Sequence, residues 1–531
     1  MRICKYFCTF APEKMISYLR KYSKWALIYI LWMCGIIVVY ASFISDLDDR
    51  QGMIIYNTLF TILLAILFPI MRGRMRKVSL VIFSLIAVVP FIIETGWFLI
   101  DRSPLIRTQF WVIFDTNLRE AGGLLSMIQL WQWLWMCFLL GISIIFFRCA
   151  LNESNKTKDN YVSLLAGILA SVVIFIPGIR HNVPYINFYN SYRGYYEDVK
   201  RAEEFMLSRQ DLDGMVMDEF LEPTATIVVI IGESLNKNHC SLYGYCRPTT
   251  PRLDKRDDII VYQNVVSPDY MTQVVLQQVL TFASSKNPEA RWNTPTLPEL
   301  LNTAGWHTYW FDPYEGEHNT ANSIATGFAS IAKLCTNYHL GEKNEQYDEA
   351  NLDHLDKILQ DSTSKRKVIF LHLIGNHFPY IQRYPVTFNY FSNEDICSPF
   401  VEQLSSNQKE VINAYDNAVR YNDWFVDSVL NRLCLLKESA TMIYFSDHGE
   451  EVYDYDFYAG RSFNHITPSL YEIPCIFWQN EQYSKNHSLY INNESPYCTD
   501  DMIHTLLDLC AVSYEQKDTC RSLFRRRNQT K

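Results

Sequence analysis

Acidic and imidazole side chains directly follow apolar runs at three places in the chain. Residues 442–445 form a short apolar run without Gly or Pro, which predicts a buried strand, and Asp447 and His448 come directly after it. Glu233 closes a second such run, "TATIVVIIGES", and His377 closes a third, "RKVIFLHLIGNH". Two carboxylates and an imidazole are ligand types that suit zinc with one coordination position open. Each residue taken singly could instead be a hydrogen-bonded loop residue or a helix cap.

The segments between these runs predict the sheet that would bring them together. From residue 224 onward, strand-like runs alternate with helical patterns, such as the one over residues 415–433. This alternation favours an α/β domain with a largely parallel sheet. Such sheets place ligand sites beyond the carboxyl ends of their strands. Glu233, Asp447 and His448 would therefore converge on one metal site.

Two hydroxyl groups are candidates for a nucleophile. Ser234 lacks the setting of the G-x-S-x-G nucleophile elbow, because residue 236 is Asn, so a serine-hydrolase site is excluded. Thr272 follows a Ser-Pro turn and falls in the first turn of a helical pattern. A hydroxyl there feels the positive end of the helix, and a nearby zinc ion would lower its pKa further. A simple N-terminal cap explains Thr272 equally well.

The first 180 residues differ in composition from the rest of the chain. Mean hydropathy over the whole chain is −0.07, but this part holds five apolar runs, each close to the ~20 residues that a membrane-spanning helix needs. They lie at about 25–45, 53–71, 78–100, 127–147 and 161–179. The first run is too long for a signal peptide and lacks a small-residue cleavage site. We therefore expect five retained transmembrane helices.

Lys and Arg residues in the connecting segments predict the orientation of these helices. The segment before the first run is basic, as are the loops at 72–77 and 148–158, whereas the loop at 45–52 is acidic. Basic segments stay in the cytoplasm. We therefore expect the N-terminus inside the cell and everything beyond residue 180 outside the inner membrane.

At 531 residues, the chain is long enough for two or more domains. We expect a transmembrane domain over 1–180, interfacial and linker helices over 181–223, an α/β catalytic domain over 224–515 and a basic tail over 516–531. A net charge of −9 argues against nucleic acid as a partner. Nine of the fourteen cysteines lie beyond residue 180. Outside the cytoplasm they could form up to four disulfides, whose pairing the sequence does not define.

Several stretches resemble one enzyme family. The chain is similar to the phosphoethanolamine transferases of Gram-negative bacteria, which are inner-membrane enzymes of the alkaline-phosphatase and sulfatase superfamily that decorate lipopolysaccharide. The resemblance covers nearly the whole chain and is carried by "IGESLNKNHCSLYGYCRPTTPRL", "SPDYMTQVVLQQVLTFA", "LHLIGNHFPYIQRYP", "YDNAVRYNDWF" and "YFSDHGEEVYD". The second and the last of these look most like the branch that modifies the lipopolysaccharide core. The fold implied is a five-helix transmembrane domain followed by a periplasmic α/β domain of the alkaline-phosphatase and sulfatase type.

The resemblance also implies a metal site and a nucleophile. It assigns at least one zinc ion to the matching positions, which are Glu233, Thr272, Asp447 and His448. It makes Thr272 the nucleophile that carries the phosphoethanolamine group as well.

Substrate contacts are implied at four further positions. His377 matches a histidine that contacts the transferred group, and His465 matches a second one, so both are assigned to catalysis and substrate binding. Thr116 and Glu120, in the stretch "FDTNLREA", match loop residues that bind the ethanolamine headgroup. Some members of the family have an Asn four residues before that threonine, where this chain has Val112.

The mechanism implied has two steps. Thr272 attacks the phosphorus of phosphatidylethanolamine and diacylglycerol leaves, after which a hydroxyl or phosphate of lipopolysaccharide or lipid A takes the group. Both substrates are lipids, which explains a catalytic domain tethered at the bilayer surface. A multi-pass inner-membrane monomer with its catalytic domain in the periplasm is expected.

Three other functions would share parts of this pattern, and each differs from the sequence or makes a different demand on it. A glycerol-phosphate transferase acting on a glucan or polyglycerol phosphate would share the metal site and the threonine, but would not need the "FDTNLREA" loop. A sulfatase would need a C/S-x-P-x-R motif, which neither the Ser234 strand end nor the Thr272 helix contains. A non-enzymatic receptor or scaffold would be expected to have lost metal ligands, and all four are present.

Overall fold

The computed structural model of the chain describes most of the region beyond residue 222 and selected segments before it. The described residues are 54–55, 89, 92–94, 96–97, 105–107, 109–110, 128, 130–154, 184–207, 212, 214–220, 222–312, 336–339, 347–461 and 465–526. Thr116 and Glu120 lie outside them, as do the spans expected at 25–45 and 161–179, and most of those at 53–71 and 78–100. The chain divides into two units, one comprising residues 1–197 with 462–464 and the other 198–461 with 465–531.

The first unit is described through one whole helix, the first part of a second helix and a few short segments. Helix α1 spans Leu130–Ser154, and helix α2 spans Pro184–Leu207. Glu94 accepts hydrogen bonds at Oε1 from the backbone N–H of Leu105 (3.1 Å) and from Nδ2 of Asn187 (2.8 Å). Among the described residues, no helix is both long and apolar enough to cross a membrane.

Within the segment expected to hold linker helices, 181–223, the described helical residues are 184–207. Beyond the end of α2, Gly214 takes a positive φ of 78°. Met217–Asp218 then pairs antiparallel with Val512–Ser513 as a short ribbon. The left-handed backbone of Gly214 is incompatible with a helix at that residue, and Pro223 lacks the N–H that a helix interior would need.

The second unit is built on a seven-stranded sheet. Its strands are β1 (Ala225–Gly232), β2 (Ile259–Tyr262), β3 (His307–Asp312), β4 (Thr336–His339), β5 (Arg366–His372), β6 (Ser439–Ser446) and β7 (Cys475–Gln479). Their spatial order is β2-β7-β6-β1-β5-β3-β4. β7 runs antiparallel to both of its neighbours, and the other neighbouring strands are parallel. The predicted largely parallel α/β sheet is confirmed.

Strand β1 lies in the middle of the sheet and is buried along its whole length. Its run of Ile and Val suits a strand that is covered on both faces. β1 pairs with β5 on one side and with β6 on the other, and Gly232 is opposite Ser446. Glu233 follows Gly232, and Asp447 follows Ser446. Both residues therefore leave the sheet at the same edge.

Six helices lie wholly within the described residues of the second unit. They are α3 (Thr272–Val279), α4 (Leu297–Thr303), α5 (Ala350–Gln360), α6 (Ser406–Leu433), α7 (Glu481–Asn486) and α8 (Met502–Leu509). α6 begins at a capping box, in which the Ser405 side chain accepts from the Gln408 N–H and the Gln408 side chain accepts from the Ser405 N–H. Buried residues of α6 join those of β1, β5 and β6 in one hydrophobic core.

Short elements complete the second unit. The 3₁₀ helices span Lys237–His239, Ser241–Tyr243, Leu253–Lys255, Pro288–Trp292, Tyr380–Gln382, Val386–Phe388, Pro468–Leu470, Thr499–Asp501 and Thr519–Arg521. Further ribbons pair Val265–Val266 with Tyr497–Cys498, Glu451–Val452 with Ala459–Gly460, and Leu489–Ile491 with Phe524–Arg526. The predicted basic tail 516–531 is thus part of the fold up to residue 526, because Phe524 is fully buried and packs on Phe477 at 4.6 Å between ring centres.

Candidate active site

Three elements of the second unit bring four candidate ligand residues to one point. Glu233 follows β1, Asp447 and His448 follow β6, and Thr272 is the first residue of α3. Thr272 Oγ1 lies 3.0 Å from Glu233 Oε2 and 3.2 Å from His448 Nε2. His448 Nε2 lies 3.4 Å from Glu233 Oε1 and 3.2 Å from Asp447 Oδ2. We call these four residues the metal cluster.

The metal cluster contains two carboxylates in a fully buried setting. Glu233, Asp447 and His448 are all 0% exposed. Burial and the nearby negative charge of Glu233 raise the pKa of Asp447 well above its usual value. Burial opposes ionisation of Glu233 too, but the His448, His377 and Arg461 side chains outweigh it and hold the pKa of Glu233 well below its usual value. A divalent cation would relieve the repulsion that separates these two pKa values.

The donor atoms of the metal cluster fit a metal ion. Ligand atoms of Glu233, Asp447 and His448 all lie within 4.8 Å of one another. Asp447 Oδ1 accepts hydrogen bonds from the N–H groups of Ser234 and His448, whereas its buried Oδ2 accepts none from the residues that the structure describes. His448 Nδ1 lies 2.7 Å from the Gly449 carbonyl oxygen, which places the imidazole proton on Nδ1 and leaves Nε2 as a donor to metal. This O,O,N set suits zinc.

The Thr272 side chain contacts the other residues of the metal cluster and does not cap its own helix. The N-cap position of α3 belongs to Met271, which has an extended backbone and makes no side-chain capping bond. The hydroxyl of Thr272 donates instead to Glu233. The simple cap considered for Thr272 therefore does not describe its environment. Its position at the start of α3 also places it beside backbone N–H groups that favour an anionic phosphate.

His377 lies in a loop that packs directly on the metal cluster. Asn376 N–H donates to the Glu233 carbonyl oxygen at 2.8 Å. Gly375 has a φ of 50°, and a Cβ there would come within 2.8 Å of Glu233 backbone atoms, so the close approach requires glycine. His377 Nδ1 lies 2.8 Å from the Phe378 carbonyl oxygen, and burial lowers the pKa of His377 to about 4. His377 is therefore neutral near pH 7.

His465 has different neighbours. Its Nδ1 lies 2.5 Å from Asp456 Oδ2, and its ring stacks on Tyr458 with 4.2 Å between the ring centres. Within the described part of the chain, neither of these neighbours belongs to the metal cluster. The structure thus brings together Glu233, Thr272, Asp447 and His448, places the His377 loop against them, and pairs His465 elsewhere.

Arg461 contacts the metal cluster and Glu450 contacts Arg461, and neither residue was anticipated from the sequence. The Arg461 guanidinium lies 2.5 Å from His448 Nε2, 3.1 Å from Glu450 Oε2 and 3.9 Å from Glu233 Oε1. Glu450 also accepts a hydrogen bond from the Tyr380 hydroxyl at 2.7 Å, and burial raises the pKa of Glu450 to about 7. One sequence signal was available, since Arg461 is the single basic residue between positions 447 and 465, counting Lys and Arg.

A buried charge network supports the loops that leave β1 and β6. His239 is fully buried, with Nδ1 2.6 Å from Asp416 Oδ1 and Nε2 3.2 Å from Asp454 Oδ1. Burial alone would lower the pKa of His239, but these two carboxylates raise it to about 10. Asp454 also accepts from Asn236 Nδ2 at 2.8 Å. An imidazolium therefore ties the loop after Glu233 both to α6 and to the loop after His448.

A disulfide lies beside this network. Cys246 is bonded to Cys397. The next residue, Arg247, donates a side-chain hydrogen bond to Asp416 Oδ2 at 2.7 Å. Disulfides persist outside the reducing cytoplasm. Among the described residues, the other cysteines are unpaired, so the four possible disulfides reduce to one in this part of the chain.

Comparisons with known proteins identify the family of the chain and proteins that are similar to it. The model of the sulfatase family matches residues 225–512. Phosphoethanolamine transferase EptC of Escherichia coli strain K12 is 27% identical over 542 residues, which is 94% of this chain and 91% of the relative.

Solved structures extend the comparison. The C-terminal periplasmic domain of EptC from Escherichia coli, crystallised in complex with zinc, is 33% identical with a TM-score of 0.55, over 60% of this chain and 90% of that one. The integral membrane protein lipooligosaccharide phosphoethanolamine transferase A from Neisseria meningitidis is 19% identical with a TM-score of 0.70, over 94% of this chain and 98% of that one. The second likeness shows a shared fold along nearly the whole chain.

Proposed function

The chain belongs to the sulfatase family, and on this premise we propose that it transfers phosphoethanolamine from phosphatidylethanolamine to a core sugar or lipid A of lipopolysaccharide. The observation that carries the proposal is the position of Thr272, whose hydroxyl starts a helix and touches both Glu233 and His448. A hydroxyl held in this way is suited to form a phosphate ester. The names of the relatives that align with nearly the whole chain support phosphoethanolamine as the transferred group.

The residues around Thr272 define the first half of the reaction. Zinc bound by Glu233, Asp447, His448 and Thr272 would act as a Lewis acid toward the phosphoryl group and lower the pKa of the hydroxyl. Thr272 Oγ1 attacks phosphorus, its bond to phosphorus forms, and the bond from phosphorus to the diacylglycerol oxygen breaks. Glu233 Oε2, 3.0 Å away, accepts the hydroxyl hydrogen bond and is placed to take its proton. The departing diacylglycerol oxygen receives a proton in turn, which balances the proton lost by Thr272.

The second half of the reaction regenerates Thr272. An oxygen of the acceptor attacks the phosphothreonine, and Thr272 Oγ1 leaves and recovers a proton. The N–H groups at the start of α3 and the guanidinium of Arg461 offer positive charge to the phosphoryl oxygens in both halves. His377, neutral near pH 7, can exchange a proton with the leaving or entering oxygen. His465 is the second candidate for this role on the family resemblance alone.

The glycerol-phosphate transferase is the alternative that shares this metal cluster. The named relatives favour phosphoethanolamine over it. Lipopolysaccharide from cells with and without the gene, measured by mass spectrometry, separates the two. We expect a gain of one phosphoethanolamine mass when the gene is present. A gain of one glycerol-phosphate mass on a glucan, with unmodified lipopolysaccharide, would establish the alternative instead.

The same proposal includes the arrangement expected at the membrane. Five transmembrane helices over residues 1–180 and a linker over 181–223 would hold the catalytic domain, residues 224–515, at the periplasmic face of the inner membrane. The headgroup-binding roles of Thr116 and Glu120 belong to this arrangement. It is supported by the basic and acidic loops of the sequence and by the fold shared with an integral membrane protein over 94% of the chain.

Reporter fusions test the orientation. A reporter active only outside the cytoplasm should work when fused at residue 185 or within 45–52, and should be silent when fused within 72–77. The reason is the alternation of Lys and Arg between these loops. A cytoplasm-specific reporter should give the opposite pattern, and its activity at residue 185 would contradict the orientation.

A further inference from the structure

A polar cavity outside the metal cluster is lined by two arginines and two aromatic rings. It has a volume of about 250 Å³ and lies between α6 and the loop 386–390. Its lining includes Arg252, Phe388, Tyr390, Arg420 and Asp423. The reaction proposed above uses none of these residues. We call this feature the arginine cavity.

Arg420 has a guanidinium group without a carboxylate partner in the part of the chain that the structure describes. Its Nη1 donates to the Pro248 carbonyl oxygen at 2.6 Å, and its Cζ lies 4.1 Å from the centre of the Tyr390 ring. These contacts fix the side chain in position while they satisfy few of its five N–H donors. A fixed guanidinium with remaining donors is a good partner for phosphate or carboxylate groups.

The acidic residue of the arginine cavity does not neutralise Arg420. Asp423 is buried and accepts hydrogen bonds from the N–H groups of Arg252 (3.1 Å) and Leu253 (2.9 Å). Burial also raises the pKa of Asp423 to about 7, which reduces its negative charge at neutral pH. The Arg252 side chain is half exposed and lies 3.5 Å from Asp427 Oδ2. The cavity therefore keeps the positive charge of Arg420.

An exposed aromatic ring stands beside this charge. Tyr390 is 61% exposed, yet its backbone is held by Asn417, a fully buried residue of α6 whose Oδ1 accepts from the Tyr390 N–H at 2.9 Å. An exposed ring on a fixed backbone offers an apolar surface to the C–H face of a sugar. The cavity volume is just below the roughly 300 Å³ at which pockets for drug-sized ligands begin, so it suits a single sugar unit.

We propose that the arginine cavity binds an anionic sugar of the acceptor glycan, with the sugar ring near Tyr390 and its phosphate or carboxylate group on Arg420. This inference rests on the proposed function, because it assigns the ligand to the acceptor. Asp423 lies seven residues from Asp416 along α6, or about 10 Å, and Asp416 holds His239 of the network beside the metal cluster. The donor has one phosphate, which must reach Thr272. A second anionic group bound away from Thr272 is therefore assigned to the acceptor.

Binding of a soluble acceptor fragment tests the proposal. The probe is the oligosaccharide obtained by alkaline deacylation of lipopolysaccharide, titrated onto the full chain in nanodiscs on a Thr272→Ala background. Loss of a charge-assisted hydrogen bond in Arg420→Gln should raise Kd about ten- to a hundredfold. Arg420→Lys should recover part of the affinity, because the charge remains. Lys409→Gln, on the same helix but outside the cavity lining, is the matched control and should bind like the parent.

The outcomes separate this inference from the proposed function. An unchanged Kd in Arg420→Gln, or an equal rise in Lys409→Gln, overturns the binding site. If removal of phosphates from the probe abolishes the Arg420 effect, the anionic group is phosphate; if the effect persists, it is a sugar carboxylate. Binding is measured without transfer, so a chain that binds the oligosaccharide yet modifies no lipopolysaccharide contradicts only the proposed function. Thermal unfolding of each variant verifies that the comparison is between folded proteins.

Discussion

Thr272→Ala should reduce phosphoethanolamine transfer roughly a thousandfold or more, which is the scale of loss when a covalent nucleophile is removed. The hydroxyl of Thr272 is the group that contacts both Glu233 and His448 from the start of α3. The substitution removes the attacking oxygen together with the γ-methyl group and leaves the helix start intact, since the N-cap position belongs to Met271. The fold and most of the lipid binding should therefore survive. Transfer from phosphatidylethanolamine to lipopolysaccharide, measured with purified protein, gives the comparison.

The covalent intermediate gives this prediction a second readout. Wild-type protein incubated with phosphatidylethanolamine and no acceptor should gain a phosphoethanolamine mass on the peptide that contains Thr272, after rapid quenching to limit hydrolysis. Thr272→Ser should retain part of the activity, because the hydroxyl remains but its rotamer is freer. Thr303→Ala, a threonine of α4, is a control that should transfer normally. An adduct on Ser234, or full transfer by Thr272→Ala, would show that the nucleophile is elsewhere.

Asp447→Ala and Glu233→Ala should each lose most of the bound zinc and, with it, more than a hundredfold of the transfer rate. Replacing groups that only support a ligand already costs about 10- to 100-fold in metal affinity or activity, and these carboxylates are proposed to be ligands themselves. Purified wild-type protein should contain at least one zinc ion per chain. Elemental analysis of the three proteins provides the measurement, and normal zinc content in both variants would show that the ligands are misassigned.

Asp447→Asn gives a readout of metal binding that does not require activity. In the absence of metal, burial raises the pKa of Asp447, and repulsion between its carboxylate and that of Glu233 raises it further. Asp447→Asn removes that repulsion, so the metal-free variant should unfold at no lower temperature than the metal-free wild type. Added zinc should raise the melting temperature of the wild type, because a ligand at a hundredfold excess over its Kd stabilises by about 2.7 kcal/mol. The variant should show little rise, and Asp353→Asn, an exposed site on α5, should behave as wild type.

The sheet and the metal cluster were accessible from the sequence because both depend on local patterns. Short apolar runs predicted β1, β5 and β6, and the parallel arrangement predicted that their carboxyl ends would meet. The convergence of Glu233, Asp447 and His448 on one site follows from these two patterns alone. The sequence did not decide whether Thr272 is a nucleophile or a helix cap, because both roles require a threonine at the start of a helix.

Contacts between side chains that are far apart in the chain could not be predicted from the sequence. His239 pairs with Asp416 across 177 positions, and Tyr380 pairs with Glu450 across 70. Neither pair leaves a local signature, because a buried charge and its partner can lie on any two elements that pack together. Arg461 contacts His448 and directly follows a short ribbon that no periodic pattern in the sequence predicted. The roles of His377 and His465, and of Thr116 and Glu120, remain predictions of the family resemblance.

The central position of β1 has a consequence for how the chain folds as it is synthesised. β1 is the first strand of the sheet to be made, yet one neighbour, β5, begins at Arg366 and the other, β6, begins at Ser439. Until both have been made, an apolar strand has two unpaired edges, a state that is prone to aggregation and slow to resolve. Ser234 and Asp447, which hydrogen-bond across the metal cluster, are 213 positions apart. A nascent chain shorter than about residue 448 therefore has neither a β1 strand paired on both edges nor a metal site, and both depend on the late synthesis of β6 and the residues that follow it.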